Sequence, residues 1–149
     1  MEYSSILIPV VALVAWSLIV MLWMVATRLP AMRKAGMSLS TAPPGSRGSQ
    51  LDGVLPDQAQ WKAHNYNHLM EQPTLFYAIA ITLALMDMGD GVNYWLAWGY
   101  VAFRVVHSIV QTTVNRLVYR TPLWVLASLC LMSLTLHAGL RILHDCGLI

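Results

Sequence analysis

Two segments of this 149-residue chain carry polar side chains at helical spacing within otherwise apolar sequence. The members of the first set are His64, Asn67, His68 and Glu71. The members of the second set are Arg104, His107, Gln111 and Asn115. At 100° per residue each set forms one stripe along a helix. Groups of these types could bind a charged ligand, relay protons or neutralise one another.

The charges of the two stripes are not balanced. Glu71 is the one acidic group, whereas Arg104, Arg116 and Arg120 supply positive charge on the second stripe or just beyond it. Burying a charge in hydrocarbon costs about 2.5–3.5 kcal/mol, so the stripes must face each other or a hydrated cleft. An antiparallel hairpin that turns near residue 90 puts the Arg104 side chain within reach of Glu71. A structural Glu71–Arg104 pair is one interpretation, and a basic cleft for an anionic ligand is the other.

The remaining histidines and the cysteines give weaker indications. His64 and His68, at i and i+4, could bind a metal ion, but the glutamate that follows the first histidine in zinc-protease helices is absent. We therefore expect no metal. His137 lies among leucines and is interpreted as a hydrogen-bonded interior residue. Cys130 and Cys146 form no disulfide framework, because on one helix they would be roughly 24 Å apart.

The composition indicates that membrane-spanning helices position these stripes. Hydrophobic residues make up 57% of the chain and charged residues only 11%, against about 25% charged in a typical soluble domain. The mean hydropathy is +0.56. A water-soluble monomer is therefore excluded, and a net charge of +2 is too small to indicate nucleic acid as a partner.

We predict an all-α, polytopic membrane protein, a bundle of four transmembrane helices that forms a single domain over residues 1–149. The predicted spans cover about 5–27, 58–88, 92–118 and 122–143, since about 20 apolar residues cross a bilayer. Residues 28–56, rich in Ser, Pro and Gly, are predicted to form a mobile cytoplasmic loop. Asp57 is a candidate N-cap, and Pro122 is predicted to open the last span. The first span is interpreted as retained, because no basic residue precedes it.

Lysine and arginine define the predicted orientation. The basic residues expected on one side of the membrane are Arg28, Arg33, Lys34, Arg47, Lys62, Arg116 and Arg120. The other side holds Arg141 alone. The positive-inside rule then places residues 28–56 and 116–121 in the cytoplasm and both termini outside.

The two polar segments resemble the signature of the MAPEG family, the membrane-associated proteins in eicosanoid and glutathione metabolism. Residues 62–73, KAHNYNHLMEQP, resemble the family pattern Arg-Ala-His-x-Asn-x-x-Glu-x-x-Pro. Residues 103–121 resemble the family's Arg-x-x-His/Tyr helix with basic residues after it. The spacing of Arg104, His107, Arg116 and Arg120 fits this pattern.

This resemblance implies a homotrimer in a bacterial inner membrane, with glutathione as co-substrate in clefts between subunits near the cytoplasmic side. It also implies a transferase or peroxidase that acts on lipophilic small molecules arriving from the lipid bilayer. Arg120 would be the catalytic residue that stabilises the glutathione thiolate, and Glu71 would engage the amino end of the tripeptide. The residues implied to bind glutathione are His64, Asn67, His68, Glu71, Arg104, His107, Gln111, Arg116 and Thr121.

Two departures from the family pattern favour a second hypothesis. Asn67 lies four residues before Glu71 rather than three, so His68 takes the asparagine register, and Gln111 stands where characterised members often have tyrosine. A non-catalytic trimer that binds a lipid or a partner protein in the same cleft is therefore the alternative. A proton-coupled carrier that uses Glu71 and the histidines is less favoured, because residues 73–86 offer no acidic or basic side chain to extend a relay.

Overall fold

The computed structural model describes residues 3–38, 40 and 42–148, and this part of the chain is helical without any strand. The α-helices are α1 (Leu7–Lys34), α2 (Asp57–Leu69), α3 (Gln72–Leu85), α4 (Val92–Thr113) and α5 (Leu117–Asp145). A short 3-10 helix, Gly48–Leu51, lies in the first loop. The predicted all-α class is confirmed.

The helices α1 and α5 each bury only a narrow stripe of side chains. In α5 the buried residues Ala127, Leu131, Leu134 and Ala138 recur every three or four positions, and α1 shows the same spacing. Large apolar side chains on the other faces, such as Leu129, are exposed. These two helices are long and apolar enough to cross a membrane, and lipid chains would cover such faces. The number of spans stays a prediction.

The core joins α3 and α4 through aromatic packing. Phe76 and Tyr100 are fully buried, and their rings stack with centroids 4.4 Å apart. Gly99 permits the close approach of α4 to α5, because a Cβ at this position would lie 3.3 Å from Cys130 Sγ. Small residues commonly allow this contact between membrane helices.

The predicted single segment from 58 to 88 is divided into α2 and α3. The helix ends at Leu69, and Glu71 has a non-helical backbone (φ −90°, ψ −96°). Pro73 explains this break, because it has no N–H to donate to the Leu69 carbonyl and its ring would clash there. The sequence pattern concealed the break because the apolar periodicity continues on either side of it.

The ends of four other elements differ from the prediction. The helix α4 ends at Thr113 rather than near residue 118. The helix α1 continues to Lys34, so the loop begins later than residue 28, and Pro30 is accommodated within it. Pro56, not Asp57, is the N-cap of α2. The helix α5 begins at Leu117 rather than near Pro122, which lies inside its second turn. A Pro in an early turn removes few backbone hydrogen bonds, so the helix continues through it.

A tight link reverses the chain between α4 and α5. Asn115 adopts a positive φ of 52°, a conformation that asparagine tolerates better than most residues. Arg116 is then the extended N-cap of α5. The link places the start of α5 beside the end of α4, where the predicted polar stripe ends.

Candidate functional site

A polar cavity of about 370 Å³ lies where α2, α4 and α5 meet. Its lining residues are His64, His68, Glu71, His107, Gln111, Leu117, Arg120, Thr121 and Trp124. Seven of the ten residues predicted from the sequence thus share one cavity. Asn67, Arg104 and Arg116 do not line it.

His68 connects a carboxylate at the cavity to a buried guanidinium behind it. Its Nδ1 is 3.1 Å from Glu71 Oε2, and its Nε2 is 3.2 Å from Arg104 Nη1. Because arginine can only donate, Nε2 must accept, and Nδ1 carries the proton that it donates to Glu71. The geometry therefore fixes the Nδ1–H tautomer of a neutral His68.

The expected direct contact between Arg104 and Glu71 is wrong. Among the ion pairs of the described residues, Glu71 pairs with His68 and none includes Arg104. The prediction assumed a hairpin of two straight helices. The break between α2 and α3 shifts the alignment of α2 with α4 by about two helical turns. Asn65 of α2 contacts Ser108, whereas the predicted hairpin placed it opposite residue 115.

The helix break also provides a hydrogen-bond acceptor for Arg104. The side chain is buried, with 1% of its surface exposed, and its Nη2 donates to the His68 carbonyl at 2.7 Å. In a continuous helix that carbonyl would accept from the amide of Gln72. Pro73 and the buried charge are therefore parts of one local arrangement.

His107 ties α4 to the first turn of α5. Its Nδ1 donates to the Arg120 carbonyl at 2.9 Å, and its Nε2 is 3.2 Å from Gln111 Oε1. Because a neutral ring with the proton on Nδ1 must accept at Nε2, this hydrogen bond requires the opposite orientation of the Gln111 amide, with the NH2 group toward the ring. The Gln111 carbonyl oxygen would then be turned away from His107.

Arg120 is held at the cavity by the link before α5. Its Nη1 donates to Asn115 Oδ1 at 2.7 Å. No carboxylate among the described residues lies within 4.0 Å of its guanidinium. The group therefore keeps its positive charge unpaired beside the cavity, where it could stabilise an anion.

The other predicted residues occupy the margin of the site. His64 Nε2 is 2.9 Å from Asp52 Oδ1, and both side chains are about half exposed. Asn67 and Arg116 are exposed and lie outside the cavity. Of the three predicted arginines, Arg120 alone lines the cavity.

Two lining residues were missed by the sequence reasoning. Leu117 and Trp124 lie three before and four after Arg120, on the same face of α5. Helical spacing from Arg120 could have found them, but the predicted start of the helix at Pro122 broke that pattern. Asn65 was also missed; it is fully buried and donates to Ser108 Oγ, which fixes α2 against α4.

The site offers acid–base and anion-binding groups. Within the described residues no three His, Cys, Asp or Glu side chains are grouped closely enough to share a metal ion. The polar lining residues supply one guanidinium, one carboxylate, three imidazoles, one amide, one hydroxyl and one indole.

The fold and the cavity define a helical membrane protein with a polar site between three of its helices. The model of the MAPEG family matches residues 6–140, which is most of the chain. The chain therefore belongs to the MAPEG family, as the signature segments predicted. No curated protein and no solved structure gives a significant match.

Proposed function

We propose that this protein binds glutathione in the cavity between α2, α4 and α5 and conjugates it through its sulfur to lipophilic electrophiles. The observation that carries the proposal is the convergence of Glu71, Arg120 and the histidines on one cavity. A volume of about 370 Å³ is in the range of small-molecule sites. Glu71 can take the ammonium group of glutathione, and Arg120 can take an anionic group.

Arg120 is the residue that we assign to the chemistry. A nearby unpaired cation lowers the pKa of a thiol and favours the reactive thiolate. The thiol proton leaves to solvent, the sulfur bonds to a carbon of the electrophile, and the electron pair of the broken bond goes to the leaving group. With a hydroperoxide, two glutathione molecules give one disulfide, one alcohol and one water.

The lipophilic substrate would approach along the apolar face of the protein. A groove of about 1190 Å³ between α3 and α5 is lined mainly by apolar side chains, including Leu75, Ile79 and Leu136. Trp124 lines both this groove and the polar cavity. A substrate dissolved in the bilayer could therefore reach the sulfur without passing through water.

We further propose a homotrimer in which a neighbouring subunit closes the open side of the cavity. The Glu71 side chain is 69% exposed in the single chain, and Trp124 is 41% exposed. A partner wall would exclude water from both. In the proposed topology the termini are outside and residues 28–56 and 116–121 are cytoplasmic, so the cavity takes glutathione from the cytoplasm.

Thermal unfolding with added glutathione tests the binding. At about a hundred times its dissociation constant, a ligand stabilises the folded state by roughly 2.7 kcal/mol. We expect the native protein and Arg120→Lys to bind, and we expect Arg120→Ala to lose thiolate absorbance and conjugation of a model electrophile while keeping its oligomeric mass. If the native protein showed neither thiolate absorbance nor conjugation of the electrophile, the enzymatic function would be refuted.

One observation favours the second function, a non-catalytic trimer that binds a lipid or a partner protein in this cavity. Gln111 occupies the cavity wall at the position where characterised relatives often have tyrosine, and its side chain contacts His107. An amide cannot provide a phenolic group. Co-purified lipid together with an unchanged melting temperature in glutathione would support this function over the first.

A further inference from the structure

A second cavity, which shares no lining residue with the polar site, lies between the end of α1 and the first loop. Its volume is about 730 Å³. The loop returns to α1 through Arg28, whose Nη2 donates to the Gly48 carbonyl. The contact is close, since a Cβ at Gly48 would lie 3.1 Å from Arg28 Nη1.

The walls of this cavity differ in chemistry. The α1 side includes the apolar residues Met24, Val25 and Met32, whereas Arg28 and Arg47 are the charged residues of the lining. Neither arginine has a carboxylate within 4.0 Å among the described residues. Arg28 Nε is in addition buried without a hydrogen-bond partner. Two arginines without counter-ions favour an anion.

The cavity begins where the lipid-facing surface of α1 ends. Leu22, Val25 and Arg28 follow one another at three-residue intervals and so share a face of the helix. Leu22 is 64% exposed and Val25 is 42% exposed, as expected for side chains that contact acyl chains. An occupant could therefore place a chain along Leu22 and Val25 and an anionic group at Arg28.

We propose that this cavity binds an anionic phospholipid, with its phosphate between Arg28 and Arg47 and one acyl chain against α1. A headgroup that carries an ammonium is disfavoured, because none of the residues that line the cavity is acidic. A free phosphate ion would leave the apolar wall in contact with water. The bound lipid would fix the first loop against α1.

Competition between two lipids tests this proposal. The full-length protein, purified in detergent and stripped of lipid, is mixed with phosphatidylglycerol and phosphatidylcholine and examined by native mass spectrometry and thermal unfolding. We expect phosphatidylglycerol to bind at least tenfold more tightly and to raise the melting temperature. Equal retention of the two lipids would overturn the proposal, and so would an equal rise in melting temperature with inorganic phosphate alone.

Variants locate the binding. The double variant Arg28→Gln, Arg47→Gln should lose the preference for phosphatidylglycerol, whereas Arg28→Lys, which keeps the charge, should retain part of it. Arg141→Gln is the matched control, since Arg141 is about half exposed and pairs with Asp145 at the far end of α5. If the double variant retained as much phosphatidylglycerol as the native protein, the site would be refuted. The same would hold if the double variant lost lipid only because it no longer had the mass of the native assembly. None of these readouts depends on glutathione.

Discussion

At the scale of single residues, the central problem of this protein is how it buries the charge of Arg104. Within the described part of the chain, the guanidinium makes two hydrogen bonds, one to the His68 ring and one to the His68 carbonyl. The opposite nitrogen of the ring donates to Glu71. The carboxylate thus supports the buried charge through an imidazole and remains at the cavity, where a ligand can reach it.

Loss of the His68 side chain should destabilise the fold. In His68→Ala the buried Arg104 Nη1 loses its acceptor, and an unsatisfied buried donor costs about 1–3 kcal/mol. Thermal unfolding in detergent measures the change. His64→Ala is the control, because the exposed His64–Asp52 pair should contribute about 0.2–1 kcal/mol. Equal effects of the two substitutions would mean that Arg104 does not depend on the ring.

Most of the candidate site was predictable at this scale, but its contacts were not. Helical spacing brought His64, His68 and Glu71 onto one face, and the structure places all three at the cavity. Spacing on one helix cannot, however, define the register between two helices. The Arg104 partner depended on the interruption at Pro73, so the sequence predicted Glu71 where the structure has His68.

At the scale of elements, interruptions rather than regular helix position the site. The α2–α3 break directs the His68 carbonyl to Arg104, and the link at Asn115 delivers an acceptor to Arg120. The residues that cause these interruptions were visible in the sequence. Their effect was not, because a Pro can be accommodated inside a helix, as Pro30 and Pro122 are, or end one, as Pro73 does.

The turn before α4 should be intolerant of added volume. A Cβ at Gly89 would overlap with Ser4 Oγ and would lie 2.9 Å from Ile6 Cγ2. The hydroxyl can rotate away, but Ile6 is fully buried. We therefore expect Gly89→Ala to lower the free energy of unfolding by about 1–3 kcal/mol.

Gly139→Ala is the matched substitution within α5. A Cβ there would meet nothing within 4 Å, and alanine favours a helix over glycine by about 0.5–1 kcal/mol. Its melting temperature should equal or exceed that of the native protein. If both variants melted lower, the difference in local space would not be the cause.

At the scale of the whole molecule, the stability depends on the solvent around it. Exposed leucines and valines cover the outer faces of α1 and α5, so a bilayer or detergent has to replace the missing core. This property was predictable from the composition, because 11% charged residues cannot cover a small soluble domain. The number of spans and the assembly state were not predictable from composition, since both depend on packing against lipid and neighbours.

Selective labelling of cysteines tests the proposed topology. Cys146 is exposed after the end of α5, whereas Cys130 is partly buried within it. A membrane-impermeant maleimide should label Cys146 in intact cells, because the proposed topology places the C-terminus outside. Ser49→Cys in a Cys146→Ser background should react only after the membrane is permeabilised. If the loop cysteine reacted in intact cells and Cys146 reacted only after permeabilisation, the orientation would be opposite to the one proposed.

The His68–Arg104 contact has a consequence for membrane insertion. In the predicted four-span arrangement, α4 cannot leave water at low cost until an acceptor is ready for its guanidinium, and α2, which carries that acceptor, precedes α4 in the chain. Synthesis from the N-terminus therefore delivers the acceptor before the charge. A chain that lacked α2 would present α4 to the insertion machinery with an uncompensated arginine, so in this arrangement we expect insertion of α4 to require α2.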